Sequence, residues 1–326
     1  MQRLLILVGP TGVGKTATAI ELCERLDGEI ISADSMQIYR GLDIGSAKPS
    51  AAEQARARHH LIDIREPDET YSAAQWADDA RVAINDMVAR GKQPIIAGGT
   101  GFYIRALLQP ETLASAPPDT ELRTTLEREA AEHGVKWLHR KLQGVDAAAA
   151  ARLHPNDVRR VIRAIEVASA PQSETEVLPN TEISAVLFDV AIHGLKMARE
   201  KLYPHLDARV DTMLATGFMD ELRVLKEGGA SPDSTAMQGV GYKQMWPVLE
   251  NAELFDEGVE LWKRDTRRYA KRQMTWFRHQ LPVNWIEVDE TSAPGETAEF
   301  IAHRWQRRSS VAEAQTGEAE SSALAE

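Results

Sequence analysis

The sequence predicts an α/β fold, a parallel sheet flanked by helices and interrupted by an all-helical insertion, and three observations carry that prediction. The apolar run Leu4–Val8 meets a glycine-rich loop, then a helix-like segment Thr16–Leu26, then a second apolar run, Glu29–Ala33. Ser72 caps a long amphipathic segment ending near Gly91, and Gln93–Ala97 follows as a buried strand that stops at Gly98-Gly99-Thr100-Gly101. Strands that read as continuous apolar runs and alternate with helices belong to sheets covered on both faces. Finally, the stretch from Pro117-Pro118 to about Thr181 has helical periodicity throughout.

Taken in order, the insertion holds helical segments Asp119–His133, Lys136–Gln143, an alanine run to Leu153, and Val158–Ala168. Ser184–Ile192 returns to a strand pattern, Ala198–Leu225 and Glu257–Gln280 are helical, and Asn284–Val288 is a last strand. The expected organisation is a discontinuous core of residues 1–116 and 182–308, an insertion of residues 117–181, and a tail of residues 309–326. The tail carries Glu313, Glu318, Glu320 and Glu326 with no basic residue in a Ser/Ala-rich stretch, and is read as disordered.

The 326 residues, 43% of them apolar, suffice for two cores. No window reaches the roughly 18 continuous apolar residues of a membrane span, and the N-terminus runs into glycines rather than a cleavage site, so a cytoplasmic monomer away from membranes is expected. The single cysteine, Cys23, lies among Ile20, Leu22 and Leu26 and reads as a small core residue, which excludes a disulfide framework. A net charge of −11 argues against nucleic acid only if charge is uniform. Lys263–His279 instead concentrates seven Lys and Arg residues against Asp265 alone, with Tyr269, Trp276 and Phe277 interleaved. That is a basic stripe suited to a nucleic-acid backbone, although aromatics at helical spacing more often face a core. His59-His60 is no zinc site, because neighbours on a strand point to opposite faces and no ligand cluster surrounds them.

Gly9-Pro10-Thr11-Gly12-Val13-Gly14-Lys15-Thr16 fits the phosphate-binding pattern G-x-x-x-x-G-K-[ST] in full, between a strand and a helix start. Glycines let successive N–H groups face an anion, Lys15 adds a charge, the helix N-terminus adds its dipole, and the Thr16 hydroxyl can ligand Mg²⁺. The fold is therefore P-loop NTPase-like, and most such loops bind ATP or GTP. Nucleotide hydrolases usually end a neighbouring strand in Asp; here the strand ends in Gly98-Gly99-Thr100, and Leu61-Ile62-Asp63 is a faint substitute. A small-molecule kinase and a non-catalytic RNA-binding P-loop protein stay open as rivals.

The segment Asp34-Ser35-Met36-Gln37-Ile38-Tyr39-Arg40-Gly41-Leu42-Asp43-Ile44-Gly45-Ser46-Ala47-Lys48-Pro49, together with that loop, resembles the tRNA dimethylallyltransferase (tRNA isopentenyltransferase) family. His60–Ile64, Tyr71-Ser72-Ala73, Gly98–Tyr103, His154-Pro155-Asn156-Asp157 and Gly239-Val240-Gly241-Tyr242-Lys243-Gln244-Met245 agree in order, so the resemblance spans roughly Leu4–Trp285. Two departures stand out. Ala168-Ser169-Ala170-Pro171-Gln172 replaces a Thr-Gly-Lys-Pro-like turn, and Gln238 stands where relatives often carry a basic residue.

The resemblance implies that dimethylallyl pyrophosphate donates its five-carbon group to the exocyclic amine of the adenosine 3′ of the tRNA anticodon. That amine is a weak nucleophile, so the reaction needs a proton acceptor and stabilisation of departing pyrophosphate. Asp34, at the carboxyl edge of a strand, is the candidate base; its bland reading is a cap or a carboxylate near the metal. Thr100 is the second catalytic candidate, positioned to hydrogen-bond the bridging oxygen, and it equally suits an N-cap for Phe102–Leu108. Arg209, in Leu206–Met213, joins the loop residues as a pyrophosphate ligand or is a solvated helix residue. Arg159, Arg160 and Arg163 form a basic face on the insertion helix, with Val158, Ile162 and Ile165 on its other side. For tRNA the implied set is Asp34, Ser35, Met36, Gln37, Thr100, Arg123, Arg159, Arg160, Val161, Ile162, Arg163 and Gln238 through Lys243 (Gly239, Val240, Gly241, Tyr242), and reading a base extruded from a loop requires a pocket built from Asp34–Gln37 and Gln238–Lys243.

Overall fold

The computed structural model describes residues 2–110, 119–170 and 188–323. Six strands, β1 (Gln2–Val8), β2 (Gly28–Ala33), β3 (His59–His60), β4 (Gln93–Gly98), β5 (Phe188–Lys196) and β6 (Asn284–Glu287), form one sheet in the order β3-β2-β4-β1-β5-β6. Every neighbouring pair is parallel. Leu4, Leu5, Ile6, Leu7 and Val8 are all at 0% exposure, which is why that part of β1 is an unbroken apolar run: helices cover both faces, so none of these five positions meets water. Register aligns Val8 with Gly98 and Gly194, and Gly98 with Ala33, so the carboxyl ends of four strands finish side by side. That edge is where open α/β sheets hold ligands.

The same unit carries helices α1 (Lys15–Leu26), α2 (Ala51–Arg56), α3 (Ala73–Ala89) and α4 (Gly101–Leu108). Ser72 caps α3 as its sequence promised, accepting from the N–H of Gln75, whose side chain accepts from the N–H of Ser72. The insertion is a compact unit of its own, 109–185, built from α5 (Thr120–His133), α6 (Val135–Val145), α7 (Ala147–Arg152) and α8 (Val158–Ser169). Its core joins Leu126, Leu138, Leu142, Val161, Ile162 and Ile165. The expected limits at 117 and 181 and the turn after Ala170 lie outside the described residues.

After β5 the chain forms α9 (Arg199–Ala215), α10 (Phe218–Glu227), α11 (Tyr242–Met245), α12 (Phe255–Gln280) and α13 (Pro294–Ala323). Two expectations change here. The single helix Ala198–Leu225 is two, because Gly217 at φ 105° turns the chain between α9 and α10. Strand β5 lies later than Ser184–Ile192, and residues 184–187 are outside the described part. Helix α13 is bounded at Pro294 and Ala323.

Among the described residues, a small apolar cluster around Leu202, Leu206 and Ala270 and two large ones lie in the sheet unit. One, with Leu5, Leu7, Ile20, Leu22, Cys23, Ile95 and Ile301, lies beneath α1 and α13. The other gathers Ile38, Tyr39, Leu42, Phe218, Tyr242 and Trp262, and thereby anchors the chain that leaves β2 and carries the site.

Candidate active site

The phosphate loop joins β1 to α1 in a backbone that only glycine accommodates. Gly12 and Gly14 sit at φ 79° and 90°, and a Cβ on Gly12 would fall 2.5 Å from Leu206 Cδ2. Gly9 and Pro10 are buried under the loop, whereas Thr11, Gly12, Val13, Gly14, Lys15 and Thr16 line a cavity of about 380 Å³. Lys15 Nζ donates to the Pro10 carbonyl at 2.7 Å. Burial of its ammonium lowers its pKa to about 8, with Asp34 opposing the shift and Arg209 adding to it. An anion in the cavity would restore the charge that burial disfavours.

At the neighbouring strand ends the backbone is crowded. A Cβ on Gly98 would lie 2.2 Å from the Ala33 carbonyl oxygen, one on Gly99 would lie 2.2 Å from Gln273 Nε2, and one on Gly101 would lie 2.2 Å from the Trp276 ring. The glycines therefore permit contact, and Gln273 uses it. This buried side chain accepts from the Thr11 N–H at 2.8 Å and donates to the Gly99 carbonyl at 3.1 Å, tying the phosphate loop to the end of β4.

Asp34 follows β2 directly. One carboxylate oxygen, Oδ1, accepts from the N–H groups of Met36 (2.9 Å) and Gln37 (3.4 Å), which fixes the side chain and leaves Oδ2 without a hydrogen bond among the described residues. Thr100 Oγ1 accepts from the Ser35 N–H at 3.0 Å and donates toward Ser35 Oγ at 3.4 Å, so the two strand ends are clasped across 65 residues of sequence. The Tyr269 hydroxyl lies near Thr100 and Gln273, and burial raises its pKa above the usual phenol range.

Beside the phosphate-loop cavity lies a second, of about 290 Å³, whose walls include Met36, Leu206, Val210, Met213, Val240 and Trp262. The two share Thr11, Asp34, Ser46, Ala47 and Arg209. One cavity is thus an anion cradle, its neighbour is largely apolar, and a carboxylate and a guanidinium stand on the wall between them. Arg209 makes no hydrogen bond or close ion pair among the described residues, and burial lowers its pKa although Asp34 and Glu53 act the other way. An uncompensated guanidinium in such a place is suited to a charged ligand.

The IPP transferase family profile matches residues 37–280, three quarters of the chain. A tRNA dimethylallyltransferase of Geobacillus kaustophilus is 42% identical over 301 residues, 92% of this chain and 95% of that protein. That of Acetivibrio thermocellus is 46% identical over 291 residues, 89% and 93% of the two chains. The chain belongs to the IPP transferase family. Among solved structures, the full-length tRNA isopentenylpyrophosphate transferase of Bacillus halodurans superimposes with a TM-score of 0.69 at 39% identity, covering 96% of this chain and all of that one. A eukaryotic dimethylallyltransferase, described as acting on tRNA, gives a TM-score of 0.74 at 27% identity over 89% of this chain and 75% of its own.

Within this IPP transferase several residues expected to meet RNA are committed elsewhere. Val161 and Ile162 are 0% and 4% exposed and belong to the core of the helical unit, since the face opposite the arginines is the one that packs. Tyr242 is fully buried, and its hydroxyl donates to Glu221 at 2.7 Å. Arg123 clamps the buried Glu166 at 2.6 and 2.9 Å, and Arg163 reaches the same carboxylate at 3.2 Å. Arg159 and Arg160 stay exposed, Arg160 lying 3.4 Å from Asp157. Gly239 and Gly241 are sites of close approach, to Met36 and Trp262, while Gln238 and Val240 line the apolar cavity with Ser35, and Lys243 is exposed.

The basic stripe is less bare than its sequence. Lys263 pairs with Asp211 at 2.6 Å and Arg267 with Asp207 at 2.5 Å, acids supplied by α9, and Phe277 is core. Asp63 is held by Lys48 at 2.5 Å and does not itself line the phosphate-loop cavity, and His60 contacts Glu29 at 2.7 Å. Among the described residues no three His, Cys, Asp or Glu side chains form a metal cluster. Gln273, Glu221 and Trp262 were absent from the sequence reading, and Arg272, which lines the apolar cavity, was read only as part of the basic stripe, because their roles depend on α10 and α12 returning to segments far away in sequence.

Proposed function

We propose that this chain transfers the dimethylallyl group of dimethylallyl pyrophosphate to the exocyclic amine of the adenosine 3′-adjacent to the anticodon in tRNA, releasing pyrophosphate. The observation that carries the reading is the pair of adjoining cavities with Asp34 and Arg209 on their shared wall. The phosphate loop, Lys15 and Arg209 hold the pyrophosphate, and the apolar cavity takes the five-carbon group and the base. The allylic C–O bond breaks, the N–C bond forms, and the amine proton passes to the Oδ2 of Asp34 while Oδ1 stays fixed by Met36 and Gln37. In this reading Tyr269, which lines the apolar cavity, and Thr100, which stands behind Ser35, supply hydrogen bonds to the departing bridging oxygen.

Mg²⁺ suits this donor set, since it binds through one or two protein oxygens plus phosphates and water rather than a closed cage. Thr16 is its protein ligand in this proposal, with Asp34 and Glu53 on the same cavity, and when bound it neutralises the leaving group's charge. Exposed Arg159 and Arg160 and the solvent side of Lys263–His279 are offered to the tRNA backbone, in the cytoplasm where tRNA is modified.

Radiolabelled dimethylallyl pyrophosphate incubated with tRNA tests the reading directly. Incorporation into tRNA is expected, with no appreciable phosphate release from ATP by the same preparation. Robust ATP turnover without transfer would favour a kinase, and tRNA binding without transfer would favour a non-catalytic role.

A further inference from the structure

Two residues of the wall shared by the two cavities, Ser46 and Ala47, belong to a loop, residues 43–48, that has little internal structure. Within it, Ser46 Oγ donates to the Leu42 carbonyl, the Ala47 N–H to the Ile44 carbonyl at 3.0 Å, and the Lys48 N–H to the Asp43 carbonyl at 2.9 Å. What holds the loop in place comes from other elements. Lys48 Nζ reaches the Tyr39 carbonyl, Asp43 and Asp63, and Gln37 Nε2 donates to the carbonyls of Ser46 and Ala47 at 3.4 and 3.3 Å. On the opposite side stands Glu221, in the first turn of α10.

Glu221 meets the loop with unusual completeness. Its Oε2 accepts from the N–H groups of Asp43 (2.9 Å) and Ile44 (2.6 Å), and its Oε1 accepts from the N–H of Gly45 (3.1 Å) and the hydroxyl of Tyr242 (2.7 Å). Four donors converge on one carboxylate, two to each oxygen, so the ionised acid is the only side chain of this length that satisfies all of them. Gly45 lies directly on the rings below, where a Cβ would come within 2.6 Å of Phe218 and Tyr242. Immediately beyond, Ser46 and Ala47 face both cavities.

We propose that Glu221 is a positioning residue for the transfer reaction: it sets the height of the 43–48 loop, and through Ser46 and Ala47 it aligns the contents of one cavity with those of the other. The inference rests on the two-cavity reading of the function. Glu221 itself touches neither cavity. Its loss therefore leaves the phosphate loop, Lys15, Asp34 and Arg209 in place and displaces only the part of the partition that the 43–48 loop supplies. Alignment errors of about 1 Å cost on the order of 100-fold in rate, whereas ground-state binding to a remote cradle is largely preserved.

The test compares Glu221→Gln, Glu221→Asp and Tyr242→Phe with the wild-type chain, measuring melting temperature, binding of a non-cleavable thio analogue of dimethylallyl pyrophosphate, and the single-turnover rate on tRNA. Glutamine keeps one oxygen for two donors and presents an amide to the others; aspartate is too short to reach all four; phenylalanine removes one donor. The expected result is analogue binding within about threefold of wild type for all three, with rates down roughly 10- to 100-fold for the Glu221 variants and several-fold for Tyr242→Phe. Wild-type rates in a folded Glu221→Gln protein would overturn the proposal, as would loss of analogue binding and rate in equal measure. Should the Glu221 variants fail to fold, Tyr242→Phe decides, and an unchanged rate there overturns it. Absence of transfer by the wild-type chain would instead remove the functional reading itself.

Discussion

Replacing Gln273 with leucine tests whether the phosphate loop is held to the end of β4 by this one side chain. Leucine matches the buried volume and removes both hydrogen bonds, leaving the Gly99 carbonyl and the Thr11 N–H without their partner. A buried polar group stranded in this way costs about 1–3 kcal/mol. The Gly99 position is buried and meets that cost in full, but Thr11 lines both cavities and regains part of its bond from water. The sum is about 2–3 kcal/mol, or roughly 5–10 °C in melting temperature for a unit of this size. Because the loop is freed as well as the fold weakened, KM for the allylic pyrophosphate should rise about tenfold, equivalent to some 1.4 kcal/mol. Glutamate at the same position gives a signed control. Ionised, it accepts from Thr11 but repels the Gly99 carbonyl; protonated, it donates as glutamine does, so stability and KM should recover toward wild type as the pH falls to about 5. Calorimetry and steady-state transfer read both effects. A leucine variant melting within about 1 °C of wild type with unchanged KM would refute the staple.

Lys15→Ala should abolish transfer and leave tRNA binding nearly unchanged, since the lysine faces the phosphate cavity; equal loss in a tRNA filter-binding assay would refute that division. Asp34→Asn keeps both turn contacts and removes the proton acceptor, so the single-turnover rate should drop about 10²–10⁴-fold, and a near-normal rate would leave Asp34 a positioning role only. Glu29 is held down to about 2 from its usual 4.5 by hydrogen bonds from Arg90, against burial and with help from His60. A depressed carboxylate stabilises the fold above its unfolded value and loses that contribution as pH falls through 4.5 toward 2, here roughly 2–3 kcal/mol; acid titration of Glu29→Gln should therefore show a flatter limb between those values. tRNA affinity should fall steeply with salt despite the net charge of −11, and a flat dependence would remove the basic surfaces from the account.

The strands and the phosphate loop were legible because their signals are local. An apolar run followed by a glycine pattern names its own backbone, and β1, β2 and β4 lie where those runs placed them. Asp34 and Thr100 were legible for a related reason, since each follows directly on a strand and so must lie at the sheet edge. The helical face of α8 was legible only in part: periodicity separated Ile162 and Ile165 from the arginines, but listing every residue of the stretch as RNA-facing ignored that separation for Val161 and Ile162. Nor does a sequence show counter-ions from another element, so Asp207 and Asp211 of α9 were invisible beside Lys263 and Arg267. Glu221 and Gln273 carry no motif at all; each matters because a later helix returns to a backbone segment more than 170 residues earlier.

The crowding at the end of β4 also explains why a phosphate-binding scaffold suits alkyl rather than phosphoryl transfer. Nucleotide hydrolases commonly place an acidic side chain on a strand beside the loop to hold the metal over the β- and γ-phosphates. Here the Cβ of any residue at Gly98 would strike the Ala33 backbone, and one at Gly99 would displace the Gln273 amide that ties the phosphate loop to β4, so a carboxylate is excluded at Gly98 and costs that tie at Gly99. The carboxylate that does reach the loop, Asp34, comes from β2, and it stands on the partition with one oxygen fixed by backbone N–H groups. From that position it borders the apolar cavity as well as the phosphate-loop cavity. A carboxylate at the partition, a guanidinium beside it and an apolar chamber beyond suit an allylic pyrophosphate and a weakly nucleophilic amine. The glycines that exclude the hydrolase arrangement are the same ones that let Gln273 and Thr100 bring the two strand ends into contact.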